Sequence, residues 1–403
     1  MTARPPALAQ RLSQIAPSAT TEMFRRVAEL KAQGAPIVSL SVGEPDFPPP
    51  PDVLRATAKA LETGPYGYTQ VAGLPALREA ICARSHARRG IVHSPAEVVV
   101  TAGAKHALFQ LAEVLFEPGD EVLIPTPSWV SYADQVRLCG AQPVFLPCLE
   151  RDGFLPSPAA IAAAITPRTK ALILCSPNNP TGAAFGAEAL RELAAVLRER
   201  SVWIIVDEIY AELSYDSASG APSLLSVAPD LREQTVIVDG VSKSYAMTGY
   251  RVGWLLAPRA LAQACEKLQS QITTSITTLA QLAALAALSG DQTCVSRMRE
   301  AYQARRDLLL RGLRALPGIT APTPNGAFYV FANVAGWLGK QHGTRKLTSD
   351  HDVAEWLLEE AKVATVPGSA FGGPGYLRLS YATSERELTE AISRIGAAVA
   401  KLA

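Results

Sequence analysis

The chain has 403 residues, of which 48% are hydrophobic and 19% charged, so it can bury a large core and form two domains. Its 38 basic and 37 acidic residues give a net charge of +1, which argues against binding of nucleic acid or a membrane surface by bulk electrostatics. Six scattered cysteines without a C-x-x-C pair, and five histidines without ligand spacing, predict reduced thiols and no metal site. The sequence starts without an apolar core of the signal-peptide type and has no apolar run of membrane length, so we expect a cytoplasmic protein.

The first two thirds of the chain alternate between amphipathic helices and short strands. A loose arm with capping residues at 18–22 precedes a helix at 23–33 and a strand at 37–42. Further helices are predicted at residues 52–62, 75–89, 102–116, 129–139, 159–164 and 187–200. Further strands are predicted at residues 97–101, 121–125, 142–146, 171–175, 202–206 and 235–239. Strands separated by helices predict an α/β fold, with a mostly parallel sheet flanked by helices.

Past residue 259 the pattern changes to long helices and few strands. Helices are predicted at residues 261–288, 294–316, 351–360 and 385–399, and strands at 328–331, 363–366 and 377–380. This pattern is typical of a smaller α+β domain. We therefore place an N-terminal arm with part of the small domain at 1–46, a large domain at 47–285 and a small C-terminal domain at 286–403.

Ligands bind beyond the carboxyl ends of the strands in such sheets, so the residues after each strand are candidates for a site. After the strand at 97–101 come Gly103, Ala104 and Lys105 at a helix N-terminus. Free N–H groups there suit a phosphate, although an ordinary tight turn uses the same residue types. Trp129 follows the next strand, and it either stacks on a flat ring or packs in the core.

Two further strand ends carry polar residues that suit a ring-shaped ligand. The loop 176–182 (SPNNPTG) is stiffened by two prolines that favour a cis bond, and Asn179 can donate to a ring oxygen or serve the turn alone. Asp207 ends an apolar strand, where an unpaired carboxylate is costly and a ring N–H is a natural partner. Tyr210, three residues later, can face the same way.

The strand at 235–239 leads to Lys243, and Arg251 follows eight residues later. A lysine at the mouth of an α/β sheet can form a Schiff base with an aldehyde, and Ser242 and Arg251 can hold a phosphate; a solvated lysine is the alternative. Together the strand ends offer an amine, a phosphate turn, a ring-nitrogen acid and a stacking ring. One cofactor, pyridoxal 5'-phosphate, needs all of these groups.

Taken together, these residues closely resemble the class I/II aminotransferases, which are pyridoxal-phosphate enzymes of fold type I, and within them the bacterial aspartate aminotransferase subgroup. The likeness covers nearly the whole chain, from Pro17 to the closing helix. It rests on the motifs 43–47 (GEPDF), 176–182 (SPNNPTG), 207–210 (DEIY), 242–243 with Arg251, and 378–382 (RLSYA).

The resemblance implies a role for each cofactor-binding candidate. Lys243 would hold the cofactor as a Schiff base and then act as the base, and Asp207 would pair with the ring nitrogen. Asn179 and Tyr210 would contact the ring oxygen. The other implied contacts are Trp129 on the ring face, Gly103, Ala104, Lys105, Ser242 and Arg251 around the phosphate, and Tyr68 on the phosphate of a neighbouring subunit.

The resemblance also implies the substrate contacts. Arg378 would bind the α-carboxylate with its planar fork, assisted by the Gly43 backbone and by Asn179, beside Trp129. Residues 269–281 contain no arginine for a distal carboxylate. In the bacterial subgroup that lacks this arginine, a lysine just after the phosphate-binding turn takes its role, so the resemblance implies that Lys105 binds the distal carboxylate. The alternative is a solvated lysine in the first helical turn, although a cation at a helix N-terminus is unfavourable to the helix dipole. A glycine at position 240 replaces the serine of many members, which removes one phosphate contact.

The implied activity is a ping-pong transamination, in which an L-amino acid, aspartate or another dicarboxylic one, passes its amino group to a 2-oxo acid such as 2-oxoglutarate. The implied assembly is a homodimer with shared active sites. Prephenate, aromatic or kynurenine-type amino acids and alanine are alternative substrates for the same chemistry. A pyridoxal-phosphate lyase is less favoured, and so is a regulatory domain, because no basic patch is seen.

Overall fold

A computed structural model describes residues 8–15, 17 and 19–403. Residues 1–7 of the predicted arm and the predicted cap Ser18 lie outside the described residues. The first helix, α1 (Ala19–Ala32), begins four residues before its predicted start. Within the described part of the chain, no helix is both long and apolar enough to cross a membrane.

A seven-stranded sheet forms the centre of the larger unit. Its strands are β2 (Val98–Thr101), β3 (Glu121–Thr126), β4 (Gln142–Pro147), β5 (Thr169–Cys175), β6 (Trp203–Asp207), β7 (Thr235–Gly240) and β8 (Gly253–Leu256). The spatial order is β2-β8-β7-β6-β5-β3-β4, and β8 is antiparallel to both of its neighbours while the other pairs are parallel. The predicted, mostly parallel sheet is confirmed; β8, only four residues long, was not predicted.

Helices cover both faces of this sheet. They are α2 (Pro51–Thr63), α3 (Pro75–Arg89), α4 (Ala104–Leu115), α5 (Ser131–Leu138), α6 (Pro158–Ala164), α7 (Ala187–Leu197), α8 (Leu224–Val227), α9 (Val241–Ser244), α10 (Arg259–Ile272) and α11 (Thr278–Ser289). Residues along a strand alternate between the two faces: Ile237 packs in the core on the α3 side, and Val238 in the core on the α4 and α5 side.

The single helix predicted at residues 261–288 is wrong. The chain forms α10 and α11 with a break between them, where Thr274 adopts a left-handed backbone conformation with φ of 61°. Consecutive threonines are poor helix formers, and the apolar periodicity on either side concealed the interruption.

The smaller unit has its own core around a three-stranded antiparallel sheet in the order β13-β14-β9. Its elements are β1 (Val38–Ser39), α12 (Thr293–Arg314), β9 (Tyr329–Asn333), β10 (Gln341–His342), β11 (Arg345–Lys346), α13 (Asp350–Trp356), β12 (Val363–Ala364), β13 (Val366–Pro367), β14 (Tyr376–Ser380) and α14 (Glu385–Val399). β1 pairs in parallel with β12, so residues near the N-terminus join this unit. Along α12 the packing changes from the large core at Val295 to the small core at Met298. The domain boundary near residue 285 stays a prediction.

Candidate active site

A cavity of about 390 Å³ lies between the two units at the carboxyl ends of the central strands. This volume is within the range of ligand pockets. Most predicted site residues line it: Gly43, Ala104, Lys105, Trp129, Asn179, Asp207, Tyr210, Ser242, Lys243, Arg251 and Arg378. Thr20, Thr21 and Phe24 of α1 line it as well.

Lys243 enters the cavity directly after the end of β7, on the short helix α9. Its Nζ donates a hydrogen bond of 2.6 Å to the carbonyl oxygen of Gly43. Burial lowers the pKa of this amine to about 8, because a poorly solvated site disfavours the ammonium form. About a tenth of Lys243 is therefore a neutral, nucleophilic amine at pH 7, far more than for an ordinary lysine.

Asp207 ends β6 and is only 3% exposed. Its Oδ2 accepts a 2.8 Å hydrogen bond from the Tyr132 hydroxyl, and its Oδ1 accepts one of 3.1 Å from the Ile209 N–H. Burial raises the pKa of Asp207 to about 6, although these two hydrogen bonds oppose the rise. No ion pair to Asp207 occurs among the described residues, so the carboxylate is suited to a cationic or N–H donor from a ligand.

The turn before α4 lies close to Arg251, and Ala104, Ser242 and Arg251 line the same cavity. Gly103, with φ of 86°, precedes the helix, and a Cβ built on it would come within 2.5 Å of Arg251 Nη2. A Cβ on Gly253 of β8 would come within 2.4 Å of the Ala104 nitrogen, so this second glycine lets the strand approach the turn. The free N–H groups of the helix start and the Arg251 guanidinium together favour a phosphate.

Arg378 on β14 is 2% exposed and contributes to the cavity wall from the smaller unit. Its Nη1 donates to Asn179 Oδ1 at 3.0 Å and its Nη2 to the Ser41 carbonyl at 2.8 Å, whereas Nε has no partner among the described residues. Burial lowers its pKa from the usual value. A buried guanidinium that bonds only neutral oxygens is suited to a ligand carboxylate.

Two backbone carbonyls near Arg378 have different partners. Ser41, which was not predicted, accepts the hydrogen bond from Arg378, while the carbonyl of Gly43 is bonded to Lys243. Asn179, in contrast, bonds Arg378 directly. The loop that carries Asn179 has two cis bonds, Ser176–Pro177 and Asn179–Pro180, in agreement with the predicted tendency.

Lys105 and Trp129 lie together at another part of the cavity wall. Lys105 Nζ is 4.7 Å from the centre of the Trp129 ring. Burial, and secondarily the nearby Arg251, lower the pKa of Lys105. The ion pairs of the described residues do not include Lys105. Lys105 thus resembles Arg378, Arg251 and Lys243, the other cations of the cavity, which also have no ion pair among the described residues.

Two residues that line the cavity, Tyr132 and Tyr329, were not predicted, and the predicted Tyr68 does not line it. Tyr132 follows Trp129 by three residues, the spacing that places two side chains on one side of a helix, and this signal was available. Tyr329, whose hydroxyl is 2.9 Å from that of Tyr210, comes from the distant β9 and had no local signal. Tyr68 is 88% exposed and does not line the cavity of its own chain; its contact with a neighbouring subunit stays a prediction.

Comparison with known proteins identifies the family to which the chain belongs. Residues 35–395 match the sequence profile of the family "Aminotransferase class I and II". The aspartate aminotransferase of Geobacillus stearothermophilus is 46% identical, over 96% of this chain and 98% of that protein. The aspartate/prephenate aminotransferase of Cereibacter sphaeroides is 42% identical, over 98% of this chain and 99% of that protein.

The fold comparison agrees with the sequence comparison. The crystal structure of the aspartate aminotransferase from Rhizobium meliloti superposes with a TM-score of 0.95 at 41% identity, covering 99% of this chain and 100% of that one. This confirms the predicted fold-type I class. The chain belongs to the class I and II aminotransferase family and is a transaminase.

Proposed function

We propose that the cavity binds pyridoxal 5'-phosphate and that the protein is an aminotransferase for aspartate or another dicarboxylic amino acid. The chemistry of the donor set supports the cofactor. Lys243 supplies an amine of lowered pKa, and Asp207 supplies a buried carboxylate that has no ion pair among the described residues. Ser242, Arg251 and the turn at Ala104 supply a site for a phosphate. Tyr210, Asn179 and Trp129 complete the surroundings of a flat, oxygen-bearing ring.

When bound, the cofactor supplies an aldehyde that joins the substrate amine and a protonated ring that withdraws electrons from the neighbouring carbon. Asp207 keeps the ring nitrogen protonated by accepting its N–H, and Tyr132 holds the carboxylate in place. Lys243, as a free amine, would take the proton from the substrate Cα and deliver it to the carbon on the other side of the substrate nitrogen, a 1,3 transfer. Its hydrogen bond to the Gly43 carbonyl provides a resting position for the amine.

Four cationic side chains line the cavity, and none of them has an ion pair among the described residues. Arg251 and Lys243 are taken up by the cofactor, so Arg378 and Lys105 remain for the substrate, and this is the observation that carries the substrate proposal. Arg378 binds the α-carboxylate through its planar fork, and Lys105 binds a second carboxylate at the other end of the substrate. Aspartate as donor and 2-oxoglutarate as acceptor both carry two carboxylates, so one site serves both halves of a ping-pong reaction. The name of the Geobacillus stearothermophilus relative supports this substrate.

Prephenate is the second candidate. It also carries two carboxylates, and its ring needs an apolar wall near the cavity mouth. Phe24 of α1 lines the cavity and is 58% exposed, so it offers an aromatic surface of this kind. The name of the Cereibacter sphaeroides relative, which includes prephenate, supports this candidate.

We further propose a homodimer with shared sites. The support is Tyr68, an exposed tyrosine outside its own cavity, which the resemblance assigns to the phosphate of the neighbouring subunit. A cytoplasmic location stays a prediction.

A panel of amino donors against 2-oxoglutarate tests the substrate proposal. Aspartate should give the highest kcat/KM, with alanine, phenylalanine and kynurenine far lower, and prephenate is tested as an acceptor from aspartate. Lys105→Ala should lower kcat/KM for aspartate by about 10- to 150-fold, which corresponds to the roughly 1.5–3 kcal/mol of a hydrogen bond to a charged group. Its effect on alanine should be small.

The matched control is Lys267→Ala on α10, an exposed lysine outside the cavity. It should leave every donor unchanged. If Lys105→Ala affects aspartate and alanine equally, or leaves aspartate unchanged, the dicarboxylate proposal is wrong. Pyruvate and ammonia from a β-substituted amino acid, without amino transfer, would show a lyase instead.

A further inference from the structure

The face of α3 that packs on the sheet ends in a charged residue. Its buried positions recur every four residues at Leu77, Ile81, Ser85 and Arg89. Arg89 thus continues the apolar stripe and has a side chain that is 3% exposed. A charge at a core-facing position is costly unless it is paired, so its partners are informative.

The partners of Arg89 are two carboxylates on adjacent strand ends. Its Nε donates to Glu208 Oε2, and its Nη2 lies 2.6 Å from Asp239 Oδ2. Glu208 follows Asp207 directly, and the Glu208 N–H donates to the Val238 carbonyl, so Glu208 comes level with Asp239 across β6 and β7. One guanidinium therefore joins the ends of two neighbouring parallel strands.

The same strand ends carry the two central groups of the site, since Asp207 ends β6 and Lys243 follows the end of β7. Strand alternation directs Asp207 towards Tyr132 of α5, while Glu208 and Asp239 are directed towards α3. Asp239 also accepts the Gly240 N–H at 2.8 Å with its Oδ1, which fixes the turn immediately before α9 and Lys243. The distance between Asp207 and Lys243 thus depends on how the two strand ends are held.

No other arginine of the cluster takes the place of Arg89 between Glu208 and Asp239. The buried cluster contains three arginines and three carboxylates, namely Arg84, Arg88, Arg89, Glu208, Glu212 and Asp239. Arg88 lies 3.6 Å from both Glu208 and Asp239, beyond hydrogen-bond distance. Arg84 pairs with Glu212 and makes no ion pair to the other two acids among the described residues.

We propose that Arg89 is a positioning residue for the transamination reaction: by clamping Glu208 to Asp239, it sets Asp207 and Lys243 at the separation that the cofactor requires. This inference rests on the proposed roles of Asp207 and Lys243. Arg378, which binds the substrate carboxylate, is on β14 and has no contact with the cluster. Loss of the clamp should therefore weaken cofactor binding and lower kcat, while KM for the amino acid changes little.

The test compares Arg89→Met with Arg84→Met, which removes the same charge from the same helix and the same cluster without touching Glu208 or Asp239. Three quantities are measured: the dissociation constant of pyridoxal phosphate from the apoenzyme, the Tm of the apoenzyme, and kcat and KM of the reconstituted enzyme. Arg89→Met should weaken cofactor binding and lower kcat by about 10- to 100-fold each, the size expected for a small displacement of reacting groups. Arg84→Met should change both by less than about threefold, whatever its effect on the Tm.

The conservative variants keep the inference testable if a methionine variant does not fold. Arg89→Lys retains the charge but cannot bond both acids with a fork, so it should recover part of the cofactor affinity, whereas Arg84→Lys should equal the wild type. Equal cofactor affinity and kcat in the Arg89 and Arg84 variants would overturn the positioning role. Failure of the wild type itself to bind pyridoxal phosphate would overturn the proposed function instead, so the two failures are distinct.

Discussion

The hydroxyl of Tyr132 should control how tightly the site holds its cofactor. Tyr132→Phe removes the 2.8 Å hydrogen bond to Asp207 and leaves the aromatic ring, which packs edge-on to Trp129 at 5.4 Å, in place. A hydrogen bond to a charged group contributes about 1.5–3 kcal/mol, which corresponds to a roughly 10- to 150-fold weaker binding of pyridoxal phosphate. The tyrosine hydroxyl favours the charged carboxylate, so its loss raises the pKa of Asp207 further above the present value of about 6.

The assay is titration of the apoenzyme with pyridoxal phosphate at several pH values. The affinity loss should be largest at low pH and should shrink as pH rises, because a larger share of Asp207 is then ionised in the variant. Tyr215→Phe is the matched control, since it removes another buried hydroxyl that bonds the Ala327 carbonyl and Tyr381 outside the cavity. If the affinity of Tyr132→Phe for pyridoxal phosphate is unchanged, or if both variants lose the same affinity, the Tyr132 hydroxyl does not act on the cofactor through Asp207.

Three further predictions concern Asp207, Lys243 and Arg378. The folded pKa of Asp207, about 6, lies above the reference value of 3.8, so the folded apoenzyme retains a proton that the unfolded chain releases. The free energy of unfolding should therefore fall by about 3 kcal/mol from this group as pH rises from 3.8 to about 6, and this component should be absent from Asp207→Asn in thermal melts. The rate at which the apoenzyme takes up pyridoxal phosphate should rise with pH and level off above the Lys243 pKa of about 8, because the neutral amine is the nucleophile; a pH-independent rate would contradict this. Arg378→Lys keeps the charge but loses the fork, so KM for aspartate should rise about 10-fold or more while the Kd of the cofactor is unchanged; steady-state kinetics and cofactor titration together check this.

The strand-end residues were predictable because α/β sheets gather the carboxyl ends of parallel strands at one edge. Asp207, Asn179, Trp129 and Lys243 each follow a strand that the sequence pattern identified, and all four line one cavity. The alternation of helices and strands also predicted α3 and α14 with their observed bounds.

Contacts between distant segments were not predictable in the same way. Ser41 and Tyr329 reach the cavity only because the smaller unit packs against the larger one, and no local pattern near either residue signals this. The break between α10 and α11 was hidden because apolar periodicity continues on both sides of Thr274. β8 was also missed, although Gly253 within it lets this strand approach the turn before α4.

The ion pairs of the α3 arginines were not predictable from the sequence either. Arg84, Arg88 and Arg89 stand close together in the sequence and suggest a solvated helix end. Only the register of β6 against β7 brings Glu208 and Asp239 into line and makes Arg89 the link between them.

Reductive trapping tests whether Lys243 is the lysine that forms the Schiff base with pyridoxal phosphate. The purified enzyme, incubated with pyridoxal phosphate, is reduced with borohydride and digested, and the modified peptide is identified by mass spectrometry. We expect a single pyridoxyl group, on Lys243. This modification should be absent when the enzyme is first treated with excess aspartate, because aspartate releases the Lys243 amine. A pyridoxyl group on another lysine such as Lys105 would contradict the assignment of Lys243. The same would follow if Lys243→Ala gave as much pyridoxyl-modified peptide as the wild type.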